Sequence, residues 1–185
     1  QEKRLNSILR IRAQRNYIKN SLNEFSSEDY IIHSDNDEIP NLEKFDLKLN
    51  SKKFVIFNQK IFYYKLNLGL SDLNWFGSKA CKLKYLKNID ILRNIKNRQY
   101  SYLRIDTLFS QYKQNSVKIV DDGGWHFSNL KTSESLENKY LNDENHAEYE
   151  LQNNSLEKIK DNIQRQIVPY NYKAKKNSLN RFDET

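Results

Sequence analysis

The sequence predicts an α/β protein. Short apolar or aromatic runs of strand type stand at Tyr30–Ile32, Phe54–Phe57, Ile61–Tyr64 and Val117–Val120. Stretches with helical spacing lie before, between and after them. The two kinds alternate along the chain with no internal repeat, the order expected of strands covered by helices.

The elements follow in order. Leu5, Ile8, Leu9, Ile18 and Leu22 fall near a 3.6-residue period, so residues 3–22 are predicted helical. Ser26-Ser27-Glu28-Asp29 breaks that pattern, and Tyr30-Ile31-Ile32 then reads as a short buried strand running into acidic residues. Pro40 ends the element, because it restricts Ile39 and removes a backbone donor. Phe54–Phe57 and Ile61–Tyr64 are two aromatic strand-like runs. Cys81, Leu83 and Tyr85 alternate with Lys82 and Lys84, which predicts a half-exposed strand with its lysines outward. Ile89, Leu92 and Ile95 give residues 88–98 a helical face. Val117–Val120 is a strand closed by Asp121-Asp122-Gly123-Gly124. Residues 132–140 form a helix capped by Thr132 or Ser133 with acids in its first turn, and a last helix covers about 154–166 by its spacing. One domain is expected over 1–168, with a basic, Asn-rich and mobile tail over 169–185.

Composition narrows the function. Of 185 residues 37% are hydrophobic and 30% charged, but 9 Phe, 12 Tyr and 2 Trp supply large side chains for a core. No apolar run approaches the roughly 20 residues that cross a membrane. The single cysteine, Cys81, excludes an internal disulfide and any Cys-rich zinc module, and suits a reducing, cytoplasmic setting. With 4 Gly the chain has no Gly-rich phosphate loop. Methionine is absent, position 1 included, so the chain reads as a fragment or a processed form. The net charge of +7 favours an anionic partner: nucleic acid, a phosphorylated substrate or an acidic membrane surface to which the protein is peripheral. Residues 79–104 carry eight Lys/Arg against Asp90, and residues 134–150 carry six acids against Lys139.

Three constellations carry chemistry. In His33-Ser34-Asp35-Asn36-Asp37-Glu38-Ile39-Pro40, Asp35 and Asp37 occupy alternate positions beyond a strand, so both carboxylates can face one hard cation such as magnesium or manganese. An acidic turn is the bland alternative. In Asp121-Asp122-Gly123-Gly124-Trp125-His126-Phe127-Ser128, the glycines permit a tight turn, and taken alone the string reads first as structural, ahead of a reading with an aspartate as a base and Trp125 as a stacking platform for a sugar. The structural reading is a hairpin turn with a core tryptophan. His146-Ala147-Glu148-Tyr149 has the H-x-E spacing of zinc deaminases without their paired cysteines. No H-E-x-x-H or G-x-S-x-G occurs.

Taken together, these strings resemble glycosyltransferase family 17, the β-1,4-mannosyl-glycoprotein β-1,4-N-acetylglucosaminyltransferase type. Gln14-Arg15-Asn16 is similar to the family's Q-R-N helix, and Asp29–Pro40 to its D-x-I-I-x-S-D-x-D-E-I-P block. Asp121–Ser128 is similar to its D-D-x-G-W-H-F-S block, and Lys139–Tyr149 to the segment ending in H-x-E-Y. Phe62–Asn67 and Trp75-x-Gly77 stand where the family has an aromatic strand and a W-x-G. The resemblance covers roughly residues 10–150.

The resemblance implies a GT-A-like nucleotide-diphospho-sugar transferase fold whose first strand and loop would precede Gln1. It implies UDP-N-acetylglucosamine as donor, a divalent cation (manganese or magnesium), and inverting transfer to a mannose-type hydroxyl of a glycan acceptor. By position it makes Asp35 and Asp37 the metal-binding acids, with Glu38 beside them and His126 or His146 completing the metal shell or touching the diphosphate. Arg15 and Trp125 would also contact the donor. The base is expected at Asp122, then Asp121, then Glu148, since a metal would occupy the Asp35 and Asp37 lone pairs. The alternative from another class is a basic nucleic-acid-binding protein or metal-dependent nuclease that lays Lys79–Arg104 on phosphates.

Overall fold

A computed structural model of the chain describes residues 2–142, 155–168 and 179–181. Helix α1 (Glu2–Tyr17) continues as a 3-10 turn, Ile18–Ser21. Strands β1 (Tyr30–His33), β2 (Glu38–Pro40), β3 (Phe54–Tyr63) and β4 (Leu68–Lys82) follow, then helix α2 (Ile89–Asn94), strands β5 (Val117–Val120) and β6 (Gly124–Ser128), helices α3 (Ser133–Asn142) and α4 (Leu156–Arg165), and strand β7 (Asn180–Arg181). Among the described residues the protein is mixed α/β, with four α-helices and one seven-stranded sheet. The sheet runs β1-β4-β3-β6-β2, with β5 also on β3 and β7 also on β4. β3 and β5 are parallel, whereas β1–β4, β2–β6 and β4–β7 are antiparallel.

The chain divides into two compact units, Arg10–Gln59 with Trp75–His126, and Gln1–Leu9 with Lys60–Asn74 and Phe127–Thr185. In the first unit the Phe54–Phe57 run is buried on both faces of the sheet, which is why it reads as continuous apolar sequence rather than alternation. Phe54 and Ile56 pack on one face with Cys81, Val117, Leu92 of α2 and Ile95 just beyond it. Val55 and Phe57 pack on the other with Ala80, Val120, Ile32 and Phe45. Fully burying each of these large side chains stabilises by about 1.5–3 kcal/mol. Asn88 caps α2 by accepting the Ile91 N–H at 2.7 Å.

In the second unit α3 packs against α4. Leu136, Tyr140 and Ile159 are buried, and a Lys160–Glu134 ion pair at 3.1 Å joins the two helices. Thr132 accepts the Ser135 N–H at the start of α3, as its sequence predicts. Asn129, buried at φ 56, donates to the hydroxyls of Tyr63 at 2.5 Å and Tyr140 at 3.0 Å and accepts from Lys139 at 2.6 Å.

Four details differ from the sequence reading. The two aromatic runs form one strand, because Gln59 between them is buried and exchanges hydrogen bonds with Ser78. The predicted helix over 88–98 stops at Asn94, where Ile95 turns to φ −54, ψ 133 and Lys96 N–H donates to Tyr112 O. Leu83–Tyr85 is a 3-10 turn rather than strand. Within the expected tail Leu179 is buried, and Asn180-Arg181 pair with Gly69 and Leu68; residues 169–178 and 182–185 lie outside the described residues.

Candidate functional site

β1 delivers the Asp35 block to the site. Ser34 Oγ lies 2.7 Å from Ser78 Oγ, and the chain then turns: Glu38 N–H donates to Asp35 O at 3.0 Å, while Asp35 N–H donates to Glu38 Oε2 at 3.1 Å. Asp35-Asn36-Asp37-Glu38 is therefore a four-residue turn closed by both backbone and side chain, and β2 begins at its last residue. β2 pairs with β6 in the register Glu38↔His126, Ile39↔Trp125 and Pro40↔Gly124. Gly124 sits at φ 124, and a Cβ there would collide with Ile39 O, so the two strands approach this closely only over glycine.

Glu38 is the hub. Its side chain is 0% exposed, and its Oε1 accepts from Trp75 Nε1 at 2.8 Å and from Arg93 Nη2 at 3.1 Å. The same Arg93 nitrogen donates to Asp35 Oδ2 at 2.8 Å, and Arg93 Nη1 donates to Gly77 O at 3.0 Å. Arg15, from α1, grips Asp35 from another side, 3.0 Å to Oδ1 and 3.3 Å to Oδ2. Burial pushes the Asp35 carboxyl up, but the Arg93 and Arg15 guanidiniums outweigh it and hold it below its ordinary value. A Cβ on Gly77 would overlap Gln59 Oε1 and meet Glu38 Cδ at 2.6 Å, so the W-x-G spacing leaves space for the buried carboxylate.

The Trp75 ring also stacks on His126, 4.4 Å between centroids at 15°. His126 is buried, and burial lowers its pKa against the pull of Asp37, so it is neutral at pH 7. Its Nδ1 has no hydrogen-bond partner and lies 3.6 Å from Asp37 Oδ1. Asp37 is one-third exposed. Asp35, Asp37 and Glu38 set three carboxylates against two guanidiniums, and Asp37 is the one that neither arginine meets.

Asp35, Asp37, Arg15 and His126 thus belong to one connected cluster. Trp125 is on the neighbouring strand with 38% of its surface exposed, not in a core. Asp121 and Asp122 follow β5. Asn58 Nδ2 donates to Asp121 Oδ1 at 3.4 Å, and Asp122, at φ 52, has its carboxylate 4.0 Å from Lys44 Nζ. Gly123 N–H bonds Asn58 O at 2.7 Å, so the chain between β5 and β6 stays beside β3 and makes no hairpin. His146 and Glu148 fall outside the described residues. Among the described residues no group of three or more His, Cys, Asp or Glu side chains converges to hold a metal.

Two site residues escaped the sequence reading. Arg93 was hidden in the basic run, and Trp75 was noted only as part of a W-x-G. The run has no single orientation: Lys84 is exposed, as its alternation predicts, while Lys79 points inward. Lys79 is buried, donating to Ile95 O at 2.5 Å and Asn97 Oδ1 at 3.1 Å, and burial lowers its pKa to about 7. Lys82 and Lys84 both pair with Glu28, at 2.9 and 2.5 Å.

The chain matches no family model, no curated protein and no solved structure.

Proposed function

We propose that the protein is an inverting, metal-dependent glycosyltransferase of GT-A-like fold. The donor is UDP-N-acetylglucosamine and the acceptor a mannose-type hydroxyl of a glycan. One observation carries the reading. Four segments distant in sequence meet on Glu38 and its neighbours: Arg15 of the Q-R-N helix, Asp35–Glu38, Trp75 and Gly77 of the W-x-G, and His126 of the G-W-H-F-S block. All four are among the segments on which the family 17 resemblance rests; the H-x-E-Y of the Lys139–Tyr149 segment lies outside the described residues.

The residues fit a divalent cation in part. Asp37 offers a hard oxygen donor that no arginine neutralises, and the neutral, unpartnered His126 Nδ1 stands beside it. Asp35 does not fit, because both of its oxygens are taken by guanidinium groups. Magnesium and manganese sites commonly use one or two protein ligands and complete their shell with substrate phosphate and water. A bound cation would neutralise charge developing on the leaving diphosphate. Arg15 and Arg93 are positioned by Asp35 and Glu38 and supply fixed positive charge beside the same turn. Trp125, exposed next to Ile39, offers its face to a sugar. Asp122 takes the proton from the acceptor hydroxyl, with Asp121 next in order.

The nucleic-acid reading weakens on the same contacts. Lys79, Lys82, Lys84, Arg93 and Arg104 of the basic run are all engaged by partners within the chain. Thermal shift separates the two. UDP with manganese is expected to raise the melting temperature of the parent and not of Asp37→Ala, whose own melting point stays close to the parent's. No shift with UDP and manganese, or a salt-sensitive shift with oligonucleotide instead, overturns the reading.

A further inference from the structure

Residues 96–114 form a closed excursion between α2 and β5. Lys96 N–H donates to Tyr112 O and Tyr100 N–H to Gln114 O, both at 2.9 Å, so the ends of the loop meet. Its interior is polar and ordered. Arg104 and Lys113 both bind Asp106, at 2.8 and 2.6 Å, and hold its carboxyl well below the usual range. Tyr100 is buried, with the guanidiniums of Arg98 and Arg104 4.5 and 5.5 Å from its ring. A 3-10 turn, Ile105–Thr107, fixes the tip.

Other large apolar side chains of this loop are exposed. Leu103 is 92% exposed, Phe109 86%, Leu108 79%, Ile105 71% and Tyr102 69%. Scattered exposed leucines need no explanation, but five such residues within eight positions of one hydrogen-bonded loop are a concentration of exposed apolar surface. Residues 96–113 carry Lys96, Arg98, Arg104 and Lys113 against Asp106, a local charge of 4 − 1 = +3; Arg104 and Lys113 are held by Asp106, so Lys96 and Arg98 carry the charge that is left for an anionic partner. Exposed apolar side chains on a loop of net positive charge are the chemistry of an anionic bilayer surface: aliphatic and aromatic groups enter the headgroup–acyl boundary, and basic residues such as Lys96 and Arg98 meet lipid phosphate and carboxylate.

We infer that the 96–114 loop docks this protein peripherally on an anionic membrane. The inference is independent of the transferase reading. Among the described residues no helix is long and apolar enough to cross a membrane, so the loop acts as a surface anchor.

The test is co-sedimentation of the full chain with vesicles of phosphatidylcholine alone and of phosphatidylcholine with phosphatidylserine. Binding is expected on the anionic vesicles and is expected to weaken as salt rises. The double substitution Leu103→Ser, Phe109→Ser is expected to lower partitioning about ten-fold or more, since transfer of one large apolar side chain already corresponds to about that factor. Both side chains are exposed, so its melting temperature should match the parent's; Asp37→Ala should bind vesicles like the parent. Failure of the parent to bind phosphatidylserine vesicles overturns the inference, as does parent-like binding by the double variant. Self-association by sedimentation equilibrium that the double substitution abolishes, with no vesicle binding, overturns it in favour of a second copy as the occupant.

Discussion

The two acidic blocks look alike in sequence, each an aspartate pair beyond an apolar strand, yet the fold treats them oppositely. Asp35–Glu38 is closed on itself and drawn inward: Glu38 is fully buried, and Asp35 is held by two arginines from two helices. Asp121-Asp122 stays on the surface, with Asp122 in the left-handed region and its carboxylate half-exposed. Counter-ions account for the difference. A buried carboxylate costs several kcal/mol unless it is paired and hydrogen-bonded, and Arg15 and Arg93 supply that pairing to the first block. Such a wired cluster is preorganised, which is what a site for a charged substrate requires.

Breaking the first block is expected to have the largest effect. Glu38→Ala takes one of the two carboxylates from Arg93 and leaves the Trp75 indole N–H and the Asp35 N–H without their acceptor. Removing one partner of a buried ion pair costs about 3–5 kcal/mol, to be read from urea midpoints at constant m. Glu38→Gln keeps the shape and one acceptor and should cost less. Gly77→Ala pushes on the same carboxylate and should behave like Glu38→Ala. Midpoints close to the parent's for both Glu38→Ala and Gly77→Ala would mean that the cluster is not the preorganised element it is taken to be.

Next in size is a pH effect from Lys79, buried on the strand that carries Trp75 and Gly77. Its pKa falls from 10.5 unfolded to about 7 folded, so between those values the unfolded chain binds more protons and stability rises with pH. Below pH 7 the burial penalty is fully present. Cys81, whose pKa burial raises from 9.0 to about 12, acts in the opposite sense above pH 9, so the clean window is pH 7–9. One proton over two pH units amounts to about 2–3 kcal/mol. Unfolding midpoints should climb across that window in the parent and stay nearly flat in Lys79→Met.

These results also bear on what could be read from sequence. Phe54–Phe57 and Val117–Val120 were legible because strands buried on both faces have continuous apolar runs. β4 was not, because its middle, Ser71–Asn74, is mostly exposed and polar. β2 is three residues long and ends in proline, and no periodicity reports a strand that short. Asp35, Asp37 and Arg15 were found through motif spacing, which carries chemistry. Lys79 and Arg93 were misjudged because a charge in a sequence has no direction: the same basic run supplies an exposed Lys84, a buried Lys79 and a site arginine. Only the third dimension brings Arg93 to Glu38, 55 residues away.

The smallest effect on the fold should come from the second block, and it is the most informative for chemistry. Asp122→Asn keeps a side chain that tolerates the left-handed region, so it retains the turn. The Lys44 contact at 4.0 Å joins two half-exposed side chains and contributes little. Stability should therefore change by no more than about 0.5 kcal/mol. If Asp122 is the base of the proposed transfer, turnover should fall by about 10²–10⁴ while UDP affinity holds. The split between an unmoved Kd for UDP and a reduced kcat is what a turn residue cannot produce. Turnover within a few-fold of the parent would return Asp122 to a purely structural role and pass the assignment to Asp121. Loss of UDP affinity along with turnover would instead place Asp122 in the donor site, and the contrast between the two blocks would then be one of burial alone.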